Sequence, residues 1–128
     1  MKITTPVVLT LCLIAAAGCR QTQMRGPEGQ TITTTTPRSI SVHRGGSVAL
    51  EVGIDRERYT GPVKVTVSQL PRGVRADRPS ATFETTSATF VLEAAPNADL
   101  VTNQQVAIIV SGLGGRETTQ YVELDVLE

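Results

Sequence analysis

From residue 40 onward, apolar and polar side chains alternate with a period of two, in short runs separated by glycine, proline and small polar residues. An extended chain sends successive side chains to opposite faces, so this alternation predicts strands with one face buried and the other wet. Ile40 and Val42 open the series, and Arg44-Gly45-Gly46 supplies a turn. Val48, Leu50, Val52 and Ile54 then alternate with Ser47, Ala49, Glu51 and Gly53. Gly61-Pro62 leads into a strand with Val63, Val65 and Val67 on one face and Lys64, Thr66 and Ser68 on the other, and Leu70-Pro71-Arg72-Gly73-Val74 ends it. Shorter strands are expected at Ala81 to Glu84 and Ala88 to Glu93, joined by Thr85-Thr86-Ser87, with Phe90 and Leu92 inward. After a break at Ala94 to Ala98, Val106, Ile108 and Val110 form a strongly β-branched strand. Gly112-Leu113-Gly114-Gly115 turns it into a last strand with Val122, Leu124 and Val126 facing in. Helical spacing with caps is missing, apart from a single turn expected near Asn97 to Val101.

About seven short strands punctuated by glycine and proline predict one all-β domain over residues 37 to 128, an antiparallel sandwich of two sheets around one core. Val52, Val65, Phe90 and Ile108 are expected at its centre. The preceding stretch from Arg20 to Thr36 lacks a sustained apolar period and is rich in Gln, Thr and Gly, which predicts a flexible linker over residues 19 to 36. As a coil it would hold the domain roughly 20 to 25 Å from whatever fixes its start.

The first 18 residues have a different texture. Met1-Lys2-Ile3 precedes an apolar run from Pro6 to Ala17 broken only by Thr10, the pattern of a secretory signal peptide. Its 12 residues would rise only ~18 Å as a helix against a hydrocarbon core of ~30 Å, too little to span a membrane. Ala16-Ala17-Gly18-Cys19 at its end resembles the lipobox of bacterial lipoproteins, with Ala16 where leucine is usual. The resemblance implies cleavage before Cys19, acylation of that cysteine and a lipid-anchored home in the bacterial cell envelope. Arg20 follows where aspartate would signal inner-membrane retention, so the outer membrane is the expected address. The competing expectation is cleavage by ordinary signal peptidase at Ala15-Ala16-Ala17, leaving Cys19 as a thiol near the new terminus.

Within the domain, RGGSVALEVGIDR, YTGPVKVTVSQLPRGVRA, SATFVLEAAPNA and YVELDV resemble the bacterial Ig-like domains of secreted and surface proteins, which share a Gly-Pro-Val strand entry and a Leu-Pro-x-Gly-Val turn. The likeness covers residues 37 to 128 and implies an Ig-like fold. Its motifs are structural and imply no particular chemistry.

Composition narrows the function. Removal of the first 18 of 128 residues takes Lys2 and Cys12 away, leaving 11 basic against 12 acidic side chains and no cysteine but Cys19. A disulfide within the domain is thereby excluded, and a near-neutral chain gives no reason to expect nucleic acid. Tyr59, Phe83, Phe90 and Tyr121 are the only aromatics. No nucleophile-base pattern, phosphate loop or metal-ligand spacing surrounds the single histidine, His43, so catalytic, cofactor and metal residues are expected to be none. Asp55 and Glu57 in DRER, like Asp99 with Asn103, are weighed as calcium ligands; the alternating signs of DRER predict instead a solvated loop whose charges pair among themselves.

The candidate binding residues are therefore surface ones. Arg72, Arg75 and Arg78 bring three guanidinium groups within seven residues, a pattern suited to carboxylates or phosphates. The alternative for them is charge that keeps an edge strand from aggregating, with Asp77 as counter-ion. The stretch Arg56 to Thr60, with Arg56, Arg58 and Tyr59, and the stretch Leu113 to Glu117 are candidates on loops. The function expected is a membrane-anchored envelope lipoprotein whose non-enzymatic Ig-like domain is structural or binds an envelope protein. The alternative is a carbohydrate- or small-ligand-binding accessory module for a secreted enzyme, with Tyr59 and Tyr121 as stacking surfaces; a Tyr59 closing the end of the core would weigh against it.

Overall fold

The computed structural model describes residues 18–128. The apolar run expected as a signal peptide, with Lys2 and Cys12, lies outside the described residues. Ten strands follow one another: β1 (Cys19–Arg25), β2 (Thr31–Pro37), β3 (Ser39–His43), β4 (Ser47–Glu57), β5 (Val63–Ser68), β6 (Val74–Ala76), β7 (Ser80–Phe83), β8 (Ser87–Ala94), β9 (Val101–Gly112) and β10 (Arg116–Leu127). They pair into two five-stranded sheets, β1-β2-β4-β8-β6 and β3-β10-β9-β5-β7. All ladders are antiparallel except that of β3 with β10, which is parallel. The described residues contain no helix, and the turn expected near Asn97 is a tight non-helical one closed by the Ala98 amide on the Ala95 carbonyl at 3.0 Å.

The period-two pattern is what builds this all-β, sandwich-like arrangement. Leu50, Val52 and Ile54 of β4 and Phe90 and Leu92 of β8 leave one sheet on the same side; Val63, Val65, Val106, Ile108, Val122 and Leu124 leave the other, and all belong to one buried cluster. Val52, Val65, Phe90 and Ile108 are each fully buried. Ile40 and Val48, expected inward, are half-buried at the margin of that core. At ~25 cal/mol per Å² of apolar surface removed from water, this burial is the main favourable contribution in a domain whose described residues include a single cysteine, Cys19.

Seven of the ten strands coincide with expected ones. The other three are β6, a three-residue edge strand inside LPRGVRA, and the pair β1 and β2, which replaces the expected flexible linker. The linker expectation fails for a physical reason. In TITTTTP the inward positions are Ile32, Thr34 and Thr36, all buried, and β-branched threonine suits a pleated strand even though it is not apolar. Across the ladder Met24 of β1 is buried as well, while Gln21 and Gln23 stand directly opposite Thr35 and Thr33 and donate to their hydroxyls at 3.3 and 3.4 Å.

The buried hydroxyls need partners, and Gln120 of β10 supplies them. Its Nε2 donates to the Arg20 carbonyl at 2.8 Å and to Thr36 Oγ1 at 2.5 Å, and its Oε1 accepts from the Thr22 hydroxyl. With Gln120 itself buried, this knot ties β1 and β2 of one sheet to β10 of the other. Among the described residues no buried side-chain nitrogen or oxygen lacks a partner. Beyond Pro37 the chain crosses between sheets at Arg38, whose amide donates to the Gly18 carbonyl at 3.3 Å while its carbonyl accepts from the Glu123 amide at 3.0 Å.

Candidate functional site

Register gathers the candidate loops at one end of the molecule. β2 starts beside the end of β4, with Thr31 opposite Glu57, and β5 starts beside the end of β9, with Lys64 opposite Ser111. The β1–β2 turn, the β4–β5 loop, the β7–β8 turn and the β9–β10 hairpin therefore lie together. A Cβ placed on Gly29 would sit 3.1 Å from the Arg58 guanidinium, and one on Gly112 would sit 3.0 Å from Ile32 and 3.8 Å from the Pro62 carbonyl.

Arg56 holds this end in place. It lies on β4, not on a loop, and the residue is half-buried. Nε donates to the Gly61 carbonyl at 3.0 Å, one terminal nitrogen to the Thr85 carbonyl at 2.6 Å and the other to the Phe83 carbonyl at 2.8 Å. Carbonyls from the β4–β5 loop, the end of β7 and the β7–β8 turn converge on one planar cation, each meeting a different nitrogen of the guanidinium, where an ammonium has a single nitrogen. The expectation that the DRER charges pair among themselves is thus corrected for Arg56, and for Glu57, which accepts from the Thr31 hydroxyl at 3.3 Å. Arg58, in a left-handed conformation at φ 60°, is exposed beyond the end of β4.

Tyr59 packs its ring against the core cluster and donates its hydroxyl to the Pro62 carbonyl at 2.8 Å. It closes the end of the core, the placement that weighs against a stacking role. Tyr121 is exposed, in the body of β10 opposite Ala107, so the two rings are not brought to one surface. Leu113, in the hairpin expected as a loop candidate, is buried in the same cluster, while Arg116 and Glu117 are exposed at the start of β10.

The arginine trio is not a convergent site either. Arg75 stands opposite Glu93 across the β6–β8 ladder and pairs with it at 3.6 Å, both side chains being largely exposed. Arg78 lies over the faces of Phe83 and Phe90, 5.3 and 5.6 Å from their centroids, and donates to the Thr89 carbonyl at 3.1 Å. The two rings meet edge to face at 5.9 Å, so Arg78 roofs an aromatic pair at the border of the core. Asp77 is not a counter-ion for the trio: its Oδ1 accepts from the amides of Arg78 and Val91, both at 3.0 Å. Arg72 is exposed on the turn before β6.

That turn flanks an open groove of about 700 Å³ at the other end, lined by Gly45, Gly46, Gly73, Val74 and Ala94 to Pro96, with Arg75 and Glu93 on its rim. The backbone groups along it bond to one another, Gly45 to Ala94 at 2.8 Å and Ala95 to Gly73 at 2.8 Å. Gly73 is required: at φ 89°, a Cβ there would lie 2.5 Å from the Ala98 Cα. His43 is exposed, its Nδ1 2.9 Å from the Glu128 carbonyl. Asp99 donates its amide to the Arg72 carbonyl at 3.1 Å, while the Asn103 amide donates to Asp125 at 2.7 Å. No group of three His, Cys, Asp or Glu side chains among the described residues is placed to hold a metal. Cys19 is half-buried, the first residue of the outermost strand β1, opposite Pro37.

Gln120 escaped sequence reasoning, and Arg56 was read as a loop candidate and not as a strand residue, although a signal was present for both. Both are polar residues standing at the inward phase of an apolar series, Gln120 before Val122, Leu124 and Val126, and Arg56 after Val52 and Ile54. Comparison of the chain with protein-family models and with curated proteins finds no match.

Proposed function

We propose that this chain is an exported bacterial envelope lipoprotein, acylated at Cys19 and destined for the outer membrane, whose domain is Ig-like and serves a structural or protein-binding role without chemistry of its own. The observation that carries this reading is where the first strand starts. Cleavage between Gly18 and Cys19, at the end of the apolar run and the Ala-Ala-Gly-Cys sequence, would remove no residue of β1 and would leave the acylated cysteine as its first residue.

The Ig-like type is supported by strand order. The sequence β2-β4-β8-β6 follows the A-B-E-D order of immunoglobulin sandwiches, and β10-β9-β5 follows G-F-C. One departure is present: between β6 and its sheet neighbour β8 the chain passes through β7 of the other sheet, where the immunoglobulin order has a connection within one sheet. The non-catalytic role is supported by how the candidate cations are used, Arg56 on three carbonyls and Arg78 on two rings. The loop end that carries Arg58 and Arg116 is the surface for a protein partner.

The test is the mass of the amino-terminal peptide recovered from membranes of expressing bacteria. A Cys19 peptide heavier by a diacylglycerol, with or without a further acyl chain, is the expected result. An unmodified peptide beginning at Ala16, Gly18 or elsewhere refutes the anchor.

A further inference from the structure

Cys19 is not at the tip of the molecule. Gln21 stands beside Thr35 and Thr35 beside Gly53, so Cys19 lies level with Glu51, in the middle of the eleven-residue strand β4. Four residues of β4, from Ser47, extend beyond that level, a projection of ~13 Å at ~3.3 Å per residue. In the other direction β1 itself runs six residues to Arg25, ~20 Å. No slack separates the cysteine from the fold: Arg20 is held by its side chain on the Tyr121 carbonyl at 2.8 Å, by Glu123 at 3.6 Å and by Gln120 on its own carbonyl.

A lipid carried on the Cys19 sulfur must enter the bilayer within a side chain's reach of β1. Standing the domain on its end would bury the projecting ~13 Å of β4 and β8 in the headgroups. Laying it on its side satisfies the reach, with the long edge made by β1 of one sheet and β3 of the other against the membrane.

The charge of that edge agrees. Residues 19 to 44, which span β1, β2, β3 and their connections, carry Arg20 and Arg25 on β1, Arg38 between β2 and β3 and Arg44 just past β3, against a single carboxylate, Glu28. Arg20 is partnered by Glu123 of the neighbouring strand; Arg44 donates Nε to the Ala98 carbonyl at 2.8 Å and faces Glu128 at 3.9 Å; Arg25 and Arg38 are exposed. The rest of the chain after Arg44 is acidic, with seven basic and eleven acidic side chains. We infer that the acylated protein lies side-on, with its β1–β3 edge docked on anionic phospholipid headgroups and its β6–β7 edge facing away. Near-surface basic residues attract anionic headgroups and favour such docking.

The inference rests on acylation of Cys19, and one preparation tests both. With Cys19 acylated and Cys12 removed with the leader, a single introduced cysteine labels uniquely. Ser41→Cys on β3 and Gln23→Cys on β1 probe the docked edge, and Thr82→Cys on β7 probes the far one; all three positions are exposed. The full acylated protein is placed in phosphatidylglycerol–phosphatidylethanolamine vesicles with a headgroup energy acceptor. β3 and β7 are separated by four strand spacings, ~19 Å. Higher transfer from positions 41 and 23 than from 82 is the expected result. Equal transfer from all three, with Cys19 acylated by mass, overturns the side-on geometry alone; an unacylated Cys19 overturns it together with the anchor.

Discussion

Replacing Gln120 by leucine isolates the interaction that makes residues 19 to 37 part of the domain. The side chains are close in volume, so the change removes an amide and leaves little void. Three bonds disappear, those to the Arg20 carbonyl, Thr36 Oγ1 and the Thr22 hydroxyl, in a position only 5% exposed. Each buried polar group left without a partner costs about 1–3 kcal/mol. Hydroxyl rotation and the carbonyl's second lone pair recover part of that, so the expected loss is about 2–4 kcal/mol, out of a total stability of about 5–15 kcal/mol. With a urea slope of about 2 kcal/mol per M, the midpoint should fall by about 1–2 M at unchanged slope. Thr22→Val alone and with Gln120→Leu completes a cycle, and contact predicts a coupling of at least ~0.5 kcal/mol. A midpoint within ~0.3 M of the parent, and additive single changes, would refute the packing of β1 and return residues 19 to 36 to a flexible linker.

Three further changes probe the rest of the fold. Ile108→Ala, at a fully buried position, should cost ~2–5 kcal/mol by urea unfolding, and an unmoved midpoint would mean that β9 faces the other way. Arg56→Met should cost about 1–3 kcal/mol and raise amide exchange at the β4–β5 loop and β7–β8 turn together, with Arg56→Lys recovering little because one ammonium cannot reach three carbonyls. Gly73→Ala should lower the melting temperature through about 1–3 kcal/mol of backbone strain plus the clash with Ala98; no change in melting would contradict the left-handed turn.

How much of this was legible in the sequence depended on whether hydrophobicity carried the signal. In Val63, Val65 and Val67, or Val106, Ile108 and Val110, alternation alone assigns strand and facing, and the structure has the same faces buried. In TITTTTP the inward residues after Ile32 are threonines, so alternation in burial leaves no alternation in hydrophobicity. The partner that makes those hydroxyls tolerable, Gln120, is 84 residues from Thr36, and no local window contains both. β6 was hidden by its length of three residues. The arginine trio was visible as composition, but its uses are set by Glu93, Phe83 and Phe90, which reach it only through sheet pairing. Tyr59 was legible only as an alternative, a stacking surface or a ring closing the end of the core, and its packing against the core cluster separates the two.

The parallel pairing of β3 with β10 also determines how the molecule bears tension. Ser39 to His43 lie beside Glu123 to Leu127, running the same way. A pull between the start of β3 and the end of β10 therefore slides one strand along the other, and every rung between them is loaded at once. An antiparallel pair pulled from adjacent ends would open one rung at a time. The Arg44 amide, bonded to the Leu127 carbonyl at 2.7 Å, extends the shared load by one more link. Stretched along this line, the domain would resist as a unit and then yield abruptly.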